Sequence, residues 1–114
     1  MGKRFFIAAA GLCGAAGVGL SAMAAHVGGG NVGVAANFLL FHAPVVLSIG
    51  LLGESRRALD IAAFVLLAGV ILFCGDLLAR QYLGGVAGLP LAPTGGMLMI
   101  AGWLGIAVAG ALKR

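Results

Sequence analysis

The sequence predicts an all-α integral membrane protein: four transmembrane helices in an up-down bundle, with the N and C termini cytoplasmic. Three observations carry that prediction. Only 9% of the residues are charged against 62% hydrophobic, and the mean hydropathy is +1.18. A soluble domain carries about 25% charged residues, so this chain lacks the material for a water-facing surface and lipid must be its solvent. The apolar residues also fall in four continuous runs, each near the roughly 20 residues that cross about 30 Å of hydrocarbon. Finally, four spans put Lys3, Arg4, Arg56, Arg57, Lys113 and Arg114 on one side and only Arg80 on the other. That asymmetry is the positive-inside pattern, and three or five spans would scatter the charges.

The same composition excludes other classes. A lipid-facing barrel needs short segments of alternating polarity, and these runs are long and unbroken. The 21 glycines show no Gly-X-Y repeat, so collagen fails. The net charge of +4 sits at the ends of apolar runs, where it meets anionic headgroups. No basic groove with interleaved aromatics marks a nucleic-acid binder. The expectation is a single membrane domain over 1–114 whose first partner is the bilayer.

The first helix is expected over about 5–25. It follows a basic start, and Ala22-Met23-Ala24 also fits a signal-peptide cleavage pattern. The apolar run is longer than a signal core, which favours a retained span. Gly11, Ala15 and Gly19 fall at fourfold spacing, the small-residue stripe of a helix packed on a neighbour. His26–Ala36 reads as a connector around Gly28-Gly29-Gly30-Asn31. The second helix is expected over 34–52. Pro44 removes one amide donor and frees the Leu40 carbonyl, predicting a kink near His42. Gly53–Arg57 is a charged turn carrying Glu54. The third helix is expected over 58–78, with Asp60 suiting the dipole at its start and Asp76 one turn before Arg80. Ala79–Ala92 reads as a loop with Tyr82 as an interfacial anchor. Pro93 then opens a fourth helix over 92–112. Ala101, Gly105 and Ala109 form another small stripe, and Trp103 sits mid-helix, where it is expected to pack inside the bundle or against a partner.

The unusual polar groups gather toward one half of the membrane. His26, Asn37, Asp76, Arg80 and Thr94 lie near its outer boundary, and His42 lies roughly 12 Å below it. Ionisable groups inside a span are costly and are candidate functional positions. A metal site would need His26, His42, Cys13, Cys74 or Asp76 to converge, yet none of these has tight ligand spacing such as C-x-x-C, and their depths spread over more than about 15 Å. No metal or other cofactor is expected. A Cys13–Cys74 disulfide is disfavoured by a depth difference of roughly 10 Å. Ser21 and Ser48 lack a nucleophile motif, so no catalytic residue is assigned and an enzyme is not the favoured class. A proton or ion relay through His42 and Asp76 remains conceivable, although the inner half offers almost no polar groups to continue it. The simpler reading is structural. His42 is expected to donate to a backbone carbonyl, with the one that Pro44 frees as the candidate. Asp76 pairs with Arg80, or accepts from His26 or Thr94. Asn37 bridges helices.

Four stretches carry a family resemblance. GLSAMAAH (Gly19–His26) resembles G-A-x-G-A-H, and LLFHAPVVLSIGLL (Leu39–Leu52) resembles L-F-H-A-L-x-L-L. GVILFCGDLL (Gly69–Leu78) resembles G-I-x-L-F-S-G-S-L, and APTGGMLMIAGW (Ala92–Trp103) resembles P-x-G-G-x-x-x-x-x-G-W. In this order they are similar to the domain of unknown function 423 family, small bacterial inner-membrane proteins related to eukaryotic transmembrane protein 256. The resemblance implies four membrane helices and a multi-pass protein of the bacterial inner (plasma) membrane. It singles out His26, Phe41, His42, Gly75, Pro93, Gly95, Gly96, Gly102 and Trp103. Two departures stand out: a short connector after His26, and Asp76 where the family pattern has a small polar residue. No activity comes with the resemblance. The expectation is a packing or accessory component, forming a homo-oligomer or joining a larger membrane complex. The alternative is a small transporter or channel using the His42–Asp76 pair.

Overall fold

The computed structural model describes residues 3–27, 30–52, 56–84 and 91–112. Four helices account for nearly all of them: α1 (Lys3–Val27), α2 (Gly30–Gly50), α3 (Arg57–Leu83) and α4 (Leu91–Ala111). All four are long and apolar enough to cross a membrane. Helix is the form such a chain must take in lipid, because it satisfies every backbone donor and acceptor within the segment.

The helices begin and end differently from the sequence expectation. α2 starts at Gly30 rather than Val34, so Asn31–Ala36 is helix and most of the expected connector disappears. Glycine breaks helices in water, but in lipid an unpaired backbone costs more than the glycine does. α3 runs past Leu78 to Leu83. The polar residues Arg80, Gln81 and Tyr82 read as loop, yet Arg80 supports the helix by reaching back four residues to Asp76. α3 stops at Gly84, whose φ of 79° is left-handed and whose amide bonds the Ala79 carbonyl, a termination that suits a residue without Cβ. α2 continues through Pro44 without interruption. The expected turn at Gly28-Gly29, Glu54 in its turn, the loop from Gly85 to Pro90, and Lys113 and Arg114 lie outside the described residues.

Each helix runs antiparallel to the next. Phe6 of α1 packs beside Val46 and Ile49 of α2, and Cys74 of α3 reaches Ala35 of α2. Leu66 of α3 faces Gly102 of α4 while Phe73 faces Gly95. The core forms two stacked clusters. One joins Ala35 and Leu39 to Leu66, Val70, Cys74 and Met99. The other joins Phe6 and Ala10 to Val46, Ile49 and Ala63. Phe5 and Phe6 close on Phe64 with ring centroids 5.4 Å apart in both cases.

The end of the bundle that carries the start of α1 and the end of α4 is fastened by charges. Lys3 donates to Asp60 at 2.7 Å and to the Ile49 carbonyl at 3.3 Å. Arg56 donates to the Ala109 carbonyl at 2.8 Å, where the last carbonyls of α4 lack partners within their own helix. Asp60 therefore does more than meet the α3 dipole: it ties α3 to α1.

Candidate functional site

Close approach between α3 and α4 sets the geometry of the site. A Cβ added at Gly95 would stand 2.5 Å from the Phe73 amide nitrogen, and one at Gly102 would stand 2.9 Å from the Leu66 Cα. A Cβ at Gly69 would stand 2.7 Å from the Gly95 carbonyl oxygen. Gly105 lies in the same seam against Ala62. Backbones this close need glycine, and the contact brings Trp103 of α4 across to α2.

There the indole Nε1–H donates to His42 Nε2 at 3.1 Å, while His42 Nδ1 lies 2.8 Å from the Phe38 carbonyl oxygen. A carbonyl only accepts and an indole N–H only donates. The two contacts together therefore assign the proton to Nδ1 and the lone pair to Nε2. His42 is neutral in this arrangement, is 4% exposed, and has both ring nitrogens engaged. The acceptor is the carbonyl of Phe38, one turn back on the same helix, and not that of Leu40. The Pro44 carbonyl in turn accepts from Ser48 Oγ at 2.7 Å. Phe38 and Phe41 flank the imidazole, with centroids 5.9 and 5.4 Å away.

A second buried polar group lies farther along α3. Asp76 is 1% exposed. Its Oδ2 accepts from Arg80 Nε at 3.1 Å and from the Ala92 amide at 3.0 Å. Ala92 stands in the first turn of α4, where amides lack helical partners. Asp76 thus caps α4 from a neighbouring helix. Among the described residues the donors seen at Oδ2 are Arg80 and this backbone amide. Oδ1 of Asp76 has no hydrogen-bond partner among the described residues.

The polar residues singled out by the sequence therefore separate into two groups. His42 joins Trp103, and Asp76 joins Arg80 and the start of α4. Among the described residues no hydrogen bond links His42 to Asp76. Asn37 is exposed on α2, His26 is exposed at the end of α1, and Thr94 is exposed in the first turn of α4. The described residues include no group of three or more His, Cys, Asp or Glu able to hold a metal. Both cysteines are free thiols, and Cys74 Sγ–H donates to the Ala35 carbonyl at 3.4 Å.

Between α2 and α4 lies a groove of about 770 Å³. Phe73 of α3 forms its floor, Asn37 and Phe41 stand on the α2 side, and Pro93, Met97 and Ile100 on the α4 side. His42 and Trp103 lie toward one end. Gly96 belongs to this groove and not to the helix seam: a Cβ added there would meet nothing within 4 Å. An outward-facing pocket around His42 is what the sequence suggests, and the groove includes that residue; the indole–imidazole bond is what sequence reading missed. The available signal was the placement of two mid-span residues with complementary donor and acceptor, His42 and Trp103.

The small residues on α1 behave differently. Gly11, Ala15 and Gly19 are all exposed, and an added Cβ at Gly11 or Gly19 would meet no atom within 4 Å. The α1 glycine that does pack is Gly17, where a Cβ would stand 2.7 Å from Leu40 Cγ.

The family described as protein of unknown function (DUF423) matches residues 13–96. The chain belongs to this family. No curated protein and no solved structure matches it. The matched stretch of the DUF423 family holds His26, Asn37, His42, Asp76, Arg80 and Gly95, and ends at Gly96, before Gly102 and Trp103. The family description names no chemistry, so function must be argued from the geometry.

Proposed function

We propose that this chain is a packing or accessory component of the bacterial inner membrane, joining copies of itself or a larger membrane complex through the outward face of α1. The observation that carries the reading is the exposed row Gly11, Ala15, Gly19, where an added Cβ at Gly11 or Gly19 would meet none of the described residues within 4 Å. A helix that faces only lipid has no use for glycine, which is about 1 kcal/mol worse than alanine in a helix. A row of small residues lets a second helix approach closely. Leu12 and Val18 stand exposed beside it, supplying the flanking apolar contacts of such an interface.

The buried polar groups favour a structural role. A proton relay needs a continuous line of donors and acceptors, and both nitrogens of His42 are already committed within the bundle. The end bearing Lys3, Arg4, Arg56 and Arg57 faces the cytoplasm under the positive-inside rule, leaving Arg80 toward the opposite side.

The test is the mass of the assembly in a native-like bilayer disc. The wild type is expected above the monomer mass, alone or with a co-purifying partner, and the double variant Gly11→Leu/Gly19→Leu is expected to fall to the monomer. A wild type that is strictly monomeric and partner-free overturns the proposal. Topology is read by labelling Leu83→Cys in intact cells with a membrane-impermeant maleimide, and labelling from outside is expected.

A further inference from the structure

The groove between α2 and α4 has one end near a cation. Phe73 forms its floor, and Arg80 lies seven residues farther along α3. Seven residues bring a helix back to within about 20° of the same direction, roughly 10 Å farther along. Arg80 therefore stands above the groove on the same stripe as its floor. The Ala92 amide marks the same end, since it bonds Asp76 one turn below Arg80, and Pro93 begins the groove wall.

The guanidinium there is only half used. Its Nε is committed to Asp76, while its Nη1 and Nη2 groups bond nothing among the described residues. The arginine side chain is 51% exposed and the Asp76 side chain 0%. The pair thus turns its positive member outward and keeps its carboxylate covered. Arg80 is also the chain's one Lys or Arg between Arg57 and Lys113. Below it the groove runs from Pro93 to Trp103, ten residues of α4 and about 15 Å. That is half of the roughly 30 Å of hydrocarbon in a bilayer, the depth of one leaflet.

An apolar channel one leaflet deep, headed by the free edge of a guanidinium, has the pattern of an amphiphile: anionic head and hydrocarbon tail. We infer that a phospholipid seats here, with one acyl chain in the groove and its phosphodiester on the Nη groups of Arg80. The planar donor fork suits phosphate oxygens. Asn37, exposed on the groove wall near the same end, offers a further donor to the headgroup or glycerol ester region. This site lies on α2–α4, apart from the face of α1 assigned to association, so the two readings stand or fall separately.

Trp103 is the chain's single tryptophan and lines the groove, so its fluorescence reports the occupant. The protein is placed in phosphatidylcholine vesicles containing either phosphatidylcholine or diacylglycerol brominated at the same mid-chain carbons. Brominated phosphatidylcholine is expected to quench Trp103 about fivefold more effectively per mole fraction, the factor given by about 1 kcal/mol for one hydrogen-bonded contact between Arg80 and the phosphodiester. Arg80→Gln is expected to erase that preference and Arg80→Lys to retain part of it. Gly96→Leu, which fills the groove where an added side chain meets no helix, is expected to cut quenching by both lipids. Equal quenching by both lipids in the wild type, or a preference that survives Arg80→Gln, overturns the inference in favour of general lipid contact. Protection of Trp103 from both lipids that grows with protein density overturns it in favour of a second copy of the chain.

Discussion

Two rows of small residues run along this molecule and meet opposite surroundings. Gly69, Gly95 and Gly102 lie where backbones of α3 and α4 nearly touch, and any added carbon collides. Gly11 and Gly19 open on empty space. Polar ties reinforce the first region: Asp76 to the Ala92 amide at one end, and Arg56 to the Ala109 carbonyl at the other. Among the described residues no such tie touches the outer row of α1. The contrast teaches that small residues on a membrane helix permit a close approach without saying whose helix will approach. The first row is answered within the chain. The second meets nothing among the described residues, and under the proposed association a second helix from outside the chain answers it.

The sharpest way to break this contrast is to add bulk to the inner row. Gly95→Val is expected to cost about 3 kcal/mol or more, since backbone rather than a flexible side chain stands in the way. Unfolding by denaturing detergent would read it, and wild-type stability would mean that the helices can part without loss. Next comes the cap on α4. Asp76→Ala is expected to cost about 1–2 kcal/mol by leaving the part-buried Ala92 amide unpaired, with Asp76→Asn milder because one oxygen acceptor remains. If both variants match the wild type, the end of α4 is held by something other than this carboxylate.

A smaller effect is expected at the centre. Trp103→Phe removes the donor to His42 Nε2 and is expected to cost about 1 kcal/mol, with a coupling to His42→Leu near the ~0.6 kcal/mol average for hydrogen bonds between membrane helices. Zero coupling in the double-mutant cycle would show that the 3.1 Å contact contributes nothing. The smallest change in stability is expected for Gly11→Leu, within about 0.5 kcal/mol of wild type, while the assembled mass drops. A large loss of stability in the isolated monomer would mean that α1 packs on its own chain after all.

The broad architecture was legible because hydropathy and charge placement are local properties. The apolar runs located four helices long enough for a membrane, and four ordered motifs led to the family. The helix ends were less legible. Glycine at Gly30 and polarity at Arg80–Tyr82 carry weights learned in water, and both segments are helical here. The site was half legible. The pairing of Asp76 with Arg80 follows from their four-residue spacing, and the mid-span place of His42 from the apolar run around it, whereas the burial of Asp76 does not. The bond from Trp103 to His42, and from Ala92 to Asp76, joins residues 61 and 16 positions apart. Such bonds depend on which helices become neighbours, and no spacing along the chain reveals that. The carbonyl accepting from His42 was misread for a simpler reason. Pro44 does free Leu40, but a histidine side chain on a helix reaches back one turn on its own helix, to Phe38.

The ties at the basic end also bear on how the chain is made. A ribosome delivers α1 and α2 first, and at that stage Lys3 has the Ile49 carbonyl as a partner within the hairpin but not Asp60. Emergence of α3 supplies Asp60 to Lys3 and presents Arg56, which then waits for the last turn of α4. The start of the third helix is thus the station at which both the first and the fourth helix are moored, and a product truncated before Ala109 would leave Arg56 without the carbonyl that receives it.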